Sequence, residues 1–409
     1  MNLLCLSAYF SPEKVSSSHL TEDLYASFSK NEINCVCYVP QPTRGVTEEQ
    51  YENYQKYEEL YNGHIKVNRF SMIREGKNPI QRALRYLMCS LKQYYLGVKE
   101  KNIDIVYGAS TPPTQGMLSA MVAKKLSKKY GKKVPFIYNL QDIFPDSLVN
   151  AKLTNRGSII WKIGRTIENY TYKNADRIIV ISESMKKNIV EKGIPREKIE
   201  VISNWIDLDQ VKPISRNENF LMKKLSLSKN DFIVVYAGNF GEAQGAEIIL
   251  SVAEKFIDYK NIKFVIFGGG SNFDEFKSKS KNKSNIFVND LLPLKYVSNV
   301  YSLGDIALIT CKPGTGNAGM PSKTWSIMAC NTPIVASFDV ESDLSKILEI
   351  SKAGTCIESG NVDELFNTIL GYYSNRDYKQ NVNSRVYISK NMSKDKCLKQ
   401  YIKLFKEKI

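Results

Sequence analysis

The sequence contains only two histidines, His19 and His64, among its 409 residues. Its eight cysteines are scattered, and none has the C-x-x-C spacing typical of zinc ligands or of a redox dithiol. Cys35 and Cys37 belong to the alternating stretch INCVCYV, so both thiols are expected on one buried face of a strand. We therefore expect no metal, no cofactor and no disulfide framework, and the cysteine usage favours a reducing cytoplasm.

Long apolar runs are also missing. No segment approaches the roughly 18 consecutive apolar residues that a membrane span requires. The N-terminal stretch MNLLCLSAYFSPEK has no basic leader, and its apolar run is too short for a signal peptide, so Leu3–Tyr9 is predicted to be a buried strand. Hydrophobic residues make up 43% of the chain and charged residues 24%, which is typical of a globular protein.

Acidic residues are outnumbered, because 57 lysines and arginines against 42 aspartates and glutamates give a net charge of +15. This excess predicts an anionic partner, either nucleic acid, a phospholipid surface or a phosphorylated small molecule. Nucleic acid is disfavoured, because the basic residues do not cluster around an interleaved aromatic platform. The stretch 77–101 predicts an amphipathic basic helix, which either faces the core or lies on an anionic bilayer. We favour the membrane surface.

Strands and helices alternate along the chain in two successive series. The first series runs from a strand at Asn2–Ala8 to a strand at Ile199–Ile202, and the polar stretch 203–230 is expected to link it to the second. Alternation with helices of about 10–15 residues predicts parallel, doubly wound sheets. We therefore predict two tandem Rossmann-like α/β domains, residues 1–203 and 204–392, with ligands bound at the carboxyl ends of the strands in a cleft between them.

Two glycine-rich turns follow strands in the second series. GNFG, residues 238–241, and GGG, residues 268–270, occupy equivalent places in consecutive βα units. Glycines there allow a close backbone approach and leave amides free for an anion. Either turn alone could be an ordinary tight turn, but the pair favours a nucleotide site. The candidate donor contacts are Gly238, Asn239, Gly268, Gly269 and Gly270.

The stretch AGMPSKTWSIMACNTPIVAS, residues 318–337, puts Lys323 at the start of a short predicted helix. A helix N-terminus is positive and disfavours a cation. Lys323 is therefore either a solvated surface lysine or a ligand for an anion that the amides of Ser322–Thr324 also hold. We favour the second interpretation, with Ser326 one turn further as an additional donor contact. Asn331 is predicted to end the helix in the left-handed conformation.

Acidic and imidazole groups of the first series supply the acid–base candidates. Asp142 follows the strand Pro135–Leu140 in QDIFPDS, where a carboxylate can accept a hydroxyl proton or orient a sugar, whereas Asp146 is a candidate helix cap. His19 is predicted in a loop before a helix, as a substrate contact or a surface cap. The D-x-D at residues 207–209 could hold a divalent cation but is interpreted as a solvated loop.

The segments QDIFPDS, YAGNFGEAQG and PSKTWSIMACNTP, with ADRIIVISESMKKNIVEKG, resemble the GT-B glycosyltransferases of family 4 (group 1). Among these they are similar to bacterial surface-polysaccharide enzymes such as the L-fucosamine (FucNAc) transferases. The resemblance covers nearly the whole chain and implies an N-terminal acceptor domain, a C-terminal nucleotide-sugar domain and a C-terminal helix, 393–409, that crosses back onto the first.

This resemblance implies transfer of a sugar, usually with retention, from a nucleotide diphosphate. The expected donor is a UDP-N-acetylaminosugar, and the expected acceptor is a polyprenyl-diphosphate-linked sugar or an oligosaccharide of capsule or O-antigen biosynthesis. The expected location is the cytoplasm, peripheral on the inner face of the plasma membrane. We assign the candidate catalytic residues as Asp142, His19 and Lys323 and expect no metal to be required.

The chain departs from the broad family pattern at four positions. The paired glutamates of the family fall on Ala318 and Ser326, and the two cations that follow its first glycine turn fall on Asn239 and Gln244. Lys323 is the candidate replacement for those cations. Two alternatives stay open, a GT-B sugar-nucleotide 2-epimerase and a non-catalytic nucleotide-sugar-binding subunit.

Overall fold

The computed structural model describes residues 1–13, 18–75, 79–150, 154–316, 320–375 and 383–407. The chain divides into two compact units, Met1–Ser203 with Leu398–Ile409, and Asn204–Cys397. Ala318, one of the two positions at which the family glutamates are missing, lies outside the described residues.

The first unit is built on an eight-stranded sheet with the order β3-β4-β2-β1-β5-β6-β7-β8. All neighbouring strands are parallel except β3 and β4. The strands are β1 (Asn2–Leu6), β2 (Asn34–Pro40), β3 (Tyr57–Leu60), β4 (Ile65–Phe70), β5 (Ile105–Ala109), β6 (Phe136–Leu140), β7 (Arg177–Val180) and β8 (Ile199–Val201).

Helices connect these strands and cover the faces of the sheet. They are α1 (Ser18–Lys30), α2 (Glu48–Glu52), α3 (Pro79–Gly97), α4 (Thr114–Tyr130), α5 (Asp146–Asn150), α6 (Ile159–Asn174) and α7 (Glu183–Glu191). Ser182 caps α7 by accepting a hydrogen bond from the backbone N–H of Met185. The central strands β1, β5, β6 and β7 are almost wholly buried, as expected for a parallel sheet covered on both faces.

One strand of this sheet lies in a stretch, 41–63, whose composition predicts a loop or a short helix. The short helix α2 forms there, but β3 also pairs antiparallel with β4 at the sheet edge. Its polar sequence YEEL is held by charge pairs to β4, since Glu58 lies 2.9 Å from Arg69 and Glu59 lies 3.8 Å from Lys66. Opposite charges paired across the two strands stabilise β3. The sequence does not predict it, because it has no alternating apolar pattern.

The second unit contains a six-stranded, fully parallel sheet with the order β11-β10-β9-β12-β13-β14. The strands are β9 (Phe232–Asn239), β10 (Ile262–Gly269), β11 (Ile286–Asp290), β12 (Ile306–Thr310), β13 (Ile334–Ser337) and β14 (Gly354–Ile357). Strand β9 lies between β10 and β12, so the strand order reverses on either side of it. Sheets of this kind bind ligands beyond the carboxyl ends of the strands at such a reversal.

The helices of the second unit are α8 (Phe220–Lys224), α9 (Ile248–Lys255), α10 (Phe273–Ser280), α11 (Val297–Leu303), α12 (Lys323–Ala329), α13 (Asp343–Ser351), α14 (Val362–Ser374) and α15 (Ser384–Asn391). The stretch 203–230 is expected to be a polar linker, but its residues 204–230 are part of this unit. Val211, Leu221 and Met222 are buried in its core, and Arg216 pairs with Asp305. A few well-spaced apolar residues anchor a segment whose average composition is polar.

The last helix, α16 (Lys394–Lys406), ends in the core of the first unit. Phe405 is 1% exposed, and its ring centroid lies 5.0 Å from that of Phe28 and 5.4 Å from that of Tyr107. The Tyr401 hydroxyl donates a hydrogen bond to Asn139 Oδ1 at 3.4 Å. In the described ranges we find no helix with the length and apolar character needed to span a bilayer.

Phe405→Ala should loosen the first unit alone, because deleting a fully buried phenylalanine costs about 3–5 kcal/mol. We expect faster amide hydrogen exchange in peptides of β1 and β5, measured by mass spectrometry, and unchanged exchange in peptides of β9 and β10. Leu294→Ala, at a side chain that is 83% exposed, is the matched control and should change neither set. Equal exchange in Phe405→Ala and the native chain would contradict this role for the C-terminal helix.

Candidate functional site

The two glycine turns of the second unit are joined by backbone hydrogen bonds. The Phe240 N–H donates to the Gly269 carbonyl at 2.7 Å, and the Asn272 N–H donates to the Phe240 carbonyl at 2.9 Å. Gly238 also pairs with Gly268 in the ladder between β9 and β10. The turns therefore form one continuous backbone surface at the carboxyl edge of the sheet.

Two glycines of this surface are required by their conformation and surroundings. Gly238 has φ +152°, and a Cβ there would lie 2.8 Å from Lys323 Nζ. Gly270 has φ +115°, and a Cβ there would overlap Asn239 Oδ1. A side chain at either position would be strained and would displace a polar group of the site. Gly268 differs, because its missing Cβ would meet the rings of Phe240 and Phe273, which gives this glycine a packing role.

Lys323 is the first residue of α12, and its side chain turns in beneath the glycine surface. Nζ is buried and lies 3.9 Å above the centroid of the Tyr236 ring, although the residue as a whole is half-exposed. Within the described residues Nζ has no hydrogen-bond acceptor. Burial lowers the pKa of this lysine from its ordinary value to about 7, since the charged form loses its hydration.

A buried ammonium without an acceptor is costly, and the face of an aromatic ring offsets only part of that cost. The next residue, Thr324, also has a buried hydroxyl with no hydrogen-bond partner in the described part of the chain. Buried polar atoms in folded proteins are nearly always satisfied, so two successive exceptions need an explanation. A polar ligand bound at this edge would account for both.

The backbone amides at the start of α12 contribute less than the sequence predicts. The amide of Thr324 is already used, because it donates to the Pro321 carbonyl at 3.0 Å. The sequence predicts three free amides at Ser322–Thr324, and this prediction is wrong for the amide of Thr324. Ser322 is exposed and makes no side-chain cap, and Ser326 lies half-buried one turn further on. Asn331 has φ +56°, which confirms the predicted left-handed residue after the helix.

Gln244, one of the two positions at which the resemblance implies a family cation, has a structural role here. Gln244 Oε1 accepts a hydrogen bond from the Gly241 N–H at 3.0 Å, so this side chain stabilises its own turn. A neighbouring cation, Lys312, is paired with Glu242 and lies 3.6 Å from Glu247. Lys323 thus differs from Lys312 at the same edge, because its charge is not neutralised by a described carboxylate.

Sequence reasoning missed two residues that shape this site. Tyr236 lies two residues before Gly238 and so on the same side of β9, and this spacing in YAG was the available signal. Asp339 accepts hydrogen bonds from the Gly314 N–H at 2.9 Å and the Gly316 N–H at 2.7 Å. It thereby fixes the loop after β12, and no short-range pattern in the sequence indicates this contact.

The first unit contains the predicted acidic residues. Asp142 follows β6 and is exposed as a residue, but burial of its carboxyl raises the pKa of that group, against hydrogen bonds from Ser147 and the Ile143 N–H that lower it. Asp146 lies 2.7 Å from Lys192 Nζ, which is also 2.7 Å from Glu168. Asp146 therefore anchors the QDIFPDS loop.

The sequence predicts His19 in a loop. That prediction is wrong, because α1 begins at Ser18 and includes His19 in its first turn. The residue is exposed. A cavity of about 330 Å³ lies beside α1, and its lining includes Ser18 and Thr21 but not His19. A role for His19 in acid–base chemistry remains a prediction.

The D-x-D stretch forms a turn. Asp207 Oδ1 accepts hydrogen bonds from the N–H groups of Asp209 at 3.0 Å and Gln210 at 3.2 Å, and Oδ2 lies 3.3 Å from Lys394 Nζ. These carboxylate oxygens serve the local fold. Among the residues with described coordinates, we find no cluster of three or more His, Cys, Asp or Glu side chains that is arranged to hold a metal ion.

The two units correspond to two family models. The model "Glycosyltransferase Family 4" matches residues 20–210, and the model "Glycosyl transferases group 1" matches residues 217–395. In solved structures, the fold is similar to that of the Anabaena protein HepE in complex with UDP. The TM-score is 0.70 at 15% identity, covering 99% of both chains.

Two curated relatives have more similar sequences. The chain is 28% identical over 253 residues to the probable glycosyltransferase WbjE of Pseudomonas aeruginosa, which covers 61% of each chain. It is 25% identical over 271 residues to WcaI of Escherichia coli K12, a putative colanic acid biosynthesis glycosyl transferase, covering 65% of this chain and 66% of WcaI. The matches thus span less than two thirds of the length of either relative. Together with the two models, they indicate that this chain belongs to the glycosyltransferases that join a family 4 domain to a group 1 domain.

Proposed function

We propose that this glycosyltransferase moves a sugar from a UDP-sugar, most simply a UDP-N-acetylaminosugar, to a lipid-linked or oligosaccharide acceptor in capsule or O-antigen biosynthesis. The proposal includes retention of the anomeric configuration. WcaI is named for colanic acid biosynthesis, and HepE binds UDP, which supports a nucleotide-sugar donor and a polysaccharide product. The observation that carries the proposal is the buried Lys323 ammonium beside the two glycine turns.

Lys323 would contact the diphosphate of the donor. When the glycosidic bond to the donor breaks, negative charge develops on the departing diphosphate, and a preorganised cation stabilises that charge most where water is excluded. Gly238 leaves room for the ammonium, since a Cβ there would lie 2.8 Å from Lys323 Nζ. Because the ammonium supplies the positive charge, the proposal requires no metal, and transfer should survive a chelator.

The acceptor side of the proposal rests on the first unit. Asp142, at the carboxyl end of β6, is the candidate group to orient the acceptor hydroxyl, with His19 as a second candidate. A lipid-linked acceptor would bring the chain to an anionic membrane surface, in keeping with its net charge of +15.

Incubation with a panel of UDP-sugars, with and without lipid extracts as acceptors, tests the proposal. Sugar transfer to the extract supports it. Epimerised donor in the absence of acceptor would instead indicate a 2-epimerase. Donor binding without transfer to any extract would indicate a non-catalytic subunit. Either result refutes the proposed transferase.

Lys323→Met should weaken UDP binding by roughly 10- to 150-fold, because hydrogen bonds to a charged group are worth about 1.5–3 kcal/mol. Titration calorimetry measures this change. Lys295→Met is the matched control, since Lys295 also stacks on a tyrosine of the second unit but is exposed. The melting temperature of Lys323→Met should stay the same or rise, because an unpaired buried charge is removed. Native UDP affinity in this variant would remove Lys323 from the donor site.

UDP affinity should fall as the pH rises above about 7, the pKa that burial gives Lys323. Below that pH the free protein already carries the ammonium. Above it, binding must take up a proton, so affinity falls by up to tenfold per pH unit until the pH reaches the raised pKa of the complex. Calorimetry between pH 7 and 9 avoids protonation of the UDP phosphate, whose pKa is about 6. Lys323→Met should bind weakly and without this slope, and a flat native profile would refute the assignment.

Asp142→Asn should lower kcat by roughly 100-fold or more, in the range of general acid–base catalysis, with unchanged UDP affinity. The neighbouring Asp146→Asn is the contrast, since it breaks the contact with Lys192 and should lower thermal stability instead. Equal turnover in Asp142→Asn and the native enzyme would show that this carboxylate is not a catalytic residue.

A further inference from the structure

Helix α3 exposes a stripe of large apolar side chains, while Met88 and Tyr94 are partly buried against the core. The sequence predicts an amphipathic basic helix, which in a globular protein would normally bury its apolar stripe. Here the buried side carries Arg85, Ser90 and Gln93, together with the small residues Cys89 and Gly97. The solvent side carries a stripe with spacings of three and four residues, each member about half exposed: Leu84, Leu87, Leu91 and Tyr95.

Specific hydrogen bonds hold the helix in this orientation. Arg85 donates to the carbonyl oxygens of Gln41, at 3.1 Å, and of Ile73. Gln93 Nε2 donates to the carbonyl oxygens of Ser7 at 2.8 Å and Tyr38 at 2.7 Å. Rotating the helix to bury its leucines would leave these buried polar groups without partners, which is unfavourable. The apolar stripe is therefore a fixed feature of the folded surface.

Two neighbouring helices also expose apolar side chains. Helix α3 packs against α4, and α4 packs against α6, so the three lie side by side on one face of the sheet. Met121 of α4 is exposed, and the first turn of α6 exposes Ile159 by 78%, Ile160 by 59% and Ile163 by 57%. Ser158 caps α6 and fixes where this turn begins. We call the set Leu84, Leu87, Leu91, Tyr95, Met121, Ile159, Ile160 and Ile163 the three-helix face.

The exposed charged side chains on these three helices are all basic. Helices α3 and α4 contain no aspartate or glutamate, and the one acidic residue of α6, Glu168, is buried against Arg165 and Lys192. Exposed lysines accompany the apolar side chains: Lys92, Lys99, Lys124, Lys125, Lys128 and Lys162. A second copy of this chain would bring two cationic faces together, which costs free energy. An anionic bilayer satisfies both the apolar side chains and the lysines.

We propose that the three-helix face is the surface by which this chain binds an anionic lipid bilayer. Leu87, Leu91, Ile160 and Ile163 insert between the headgroups, and the lysines of α4 contact lipid phosphates. The proposal deepens the proposed function, because a lipid-linked acceptor would lie in the same bilayer. Its test measures lipid binding and does not depend on activity.

The test is flotation of the full-length chain with vesicles of phosphatidylglycerol and phosphatidylcholine, compared with vesicles of phosphatidylcholine alone. We expect binding to the anionic vesicles. A variant with Leu87→Ser, Leu91→Ser, Ile160→Ser and Ile163→Ser should lose at least tenfold in vesicle affinity, since burying one such side chain is worth roughly a factor of ten. The matched control, Leu294→Ser with Ile350→Ser, changes exposed residues of the second unit and should bind as the native chain does.

A second variant separates the charge contribution. Lys124→Gln, Lys125→Gln and Lys128→Gln together should remove the preference for phosphatidylglycerol and most of the salt sensitivity of binding. All these positions are exposed, so the variants are expected to fold, and unchanged UDP binding by calorimetry checks this in each case.

Three results would overturn the proposal. The native chain could fail to float with anionic vesicles, or the four-serine variant could float as well as the native chain, which would mean adsorption by charge alone. The native chain could also form a dimer in sedimentation that the four-serine variant abolishes without any vesicle binding, which would make the face a self-interface. If the native chain binds anionic vesicles but does not bind UDP, the proposed function is refuted and the lipid-binding role of the three-helix face stands.

Discussion

The candidate donor site of the second unit is built around a buried lysine ammonium that no described carboxylate pairs with. Lys323 Nζ lies 3.9 Å from the centroid of the Tyr236 ring, beside a glycine whose missing side chain leaves just enough room for it. The aromatic face makes the buried ammonium tolerable without fixing it to a carboxylate. A carboxylate partner such as Lys312 has would satisfy the charge and compete with an anionic ligand for it. The arrangement therefore favours binding of an anion at this edge of the sheet.

The sequence predicts the fold class because its strands are apolar, short and separated by helices. It also leads to Lys323, because a lysine beside a proline at a helix start needs an explanation. It does not reveal Tyr236 as the residue beneath that lysine, since the contact joins β9 to α12 across 87 residues, the difference between positions 236 and 323. The free amide expected at Thr324 is absent, because the helix begins with a turn that uses it.

Helix α3 shows another limit of reading periodicity. Its spacing of apolar residues correctly predicts an amphipathic helix, but periodicity alone does not say which side is buried. That choice is made by Arg85 and Gln93, whose partners are backbone carbonyls in other elements of the first unit. Strand β3 is not predicted from the sequence for a similar reason. Its apolar pattern is weak, and charge pairs with β4 stabilise it instead. In both cases, polar contacts between separate elements decide the structure.

The central claim, that Lys323 is a buried ammonium awaiting a diphosphate, is tested most directly by measuring its titration. Lysine labelled with ¹³C at Cε gives one NMR signal per side chain, and the signal lost in Lys323→Arg identifies this residue. The account predicts a pKa of about 7 in the free protein, as burial dictates, and a pKa raised by more than one unit when UDP is bound. A signal that titrates near the ordinary lysine value of about 10.4 and does not respond to UDP would contradict it.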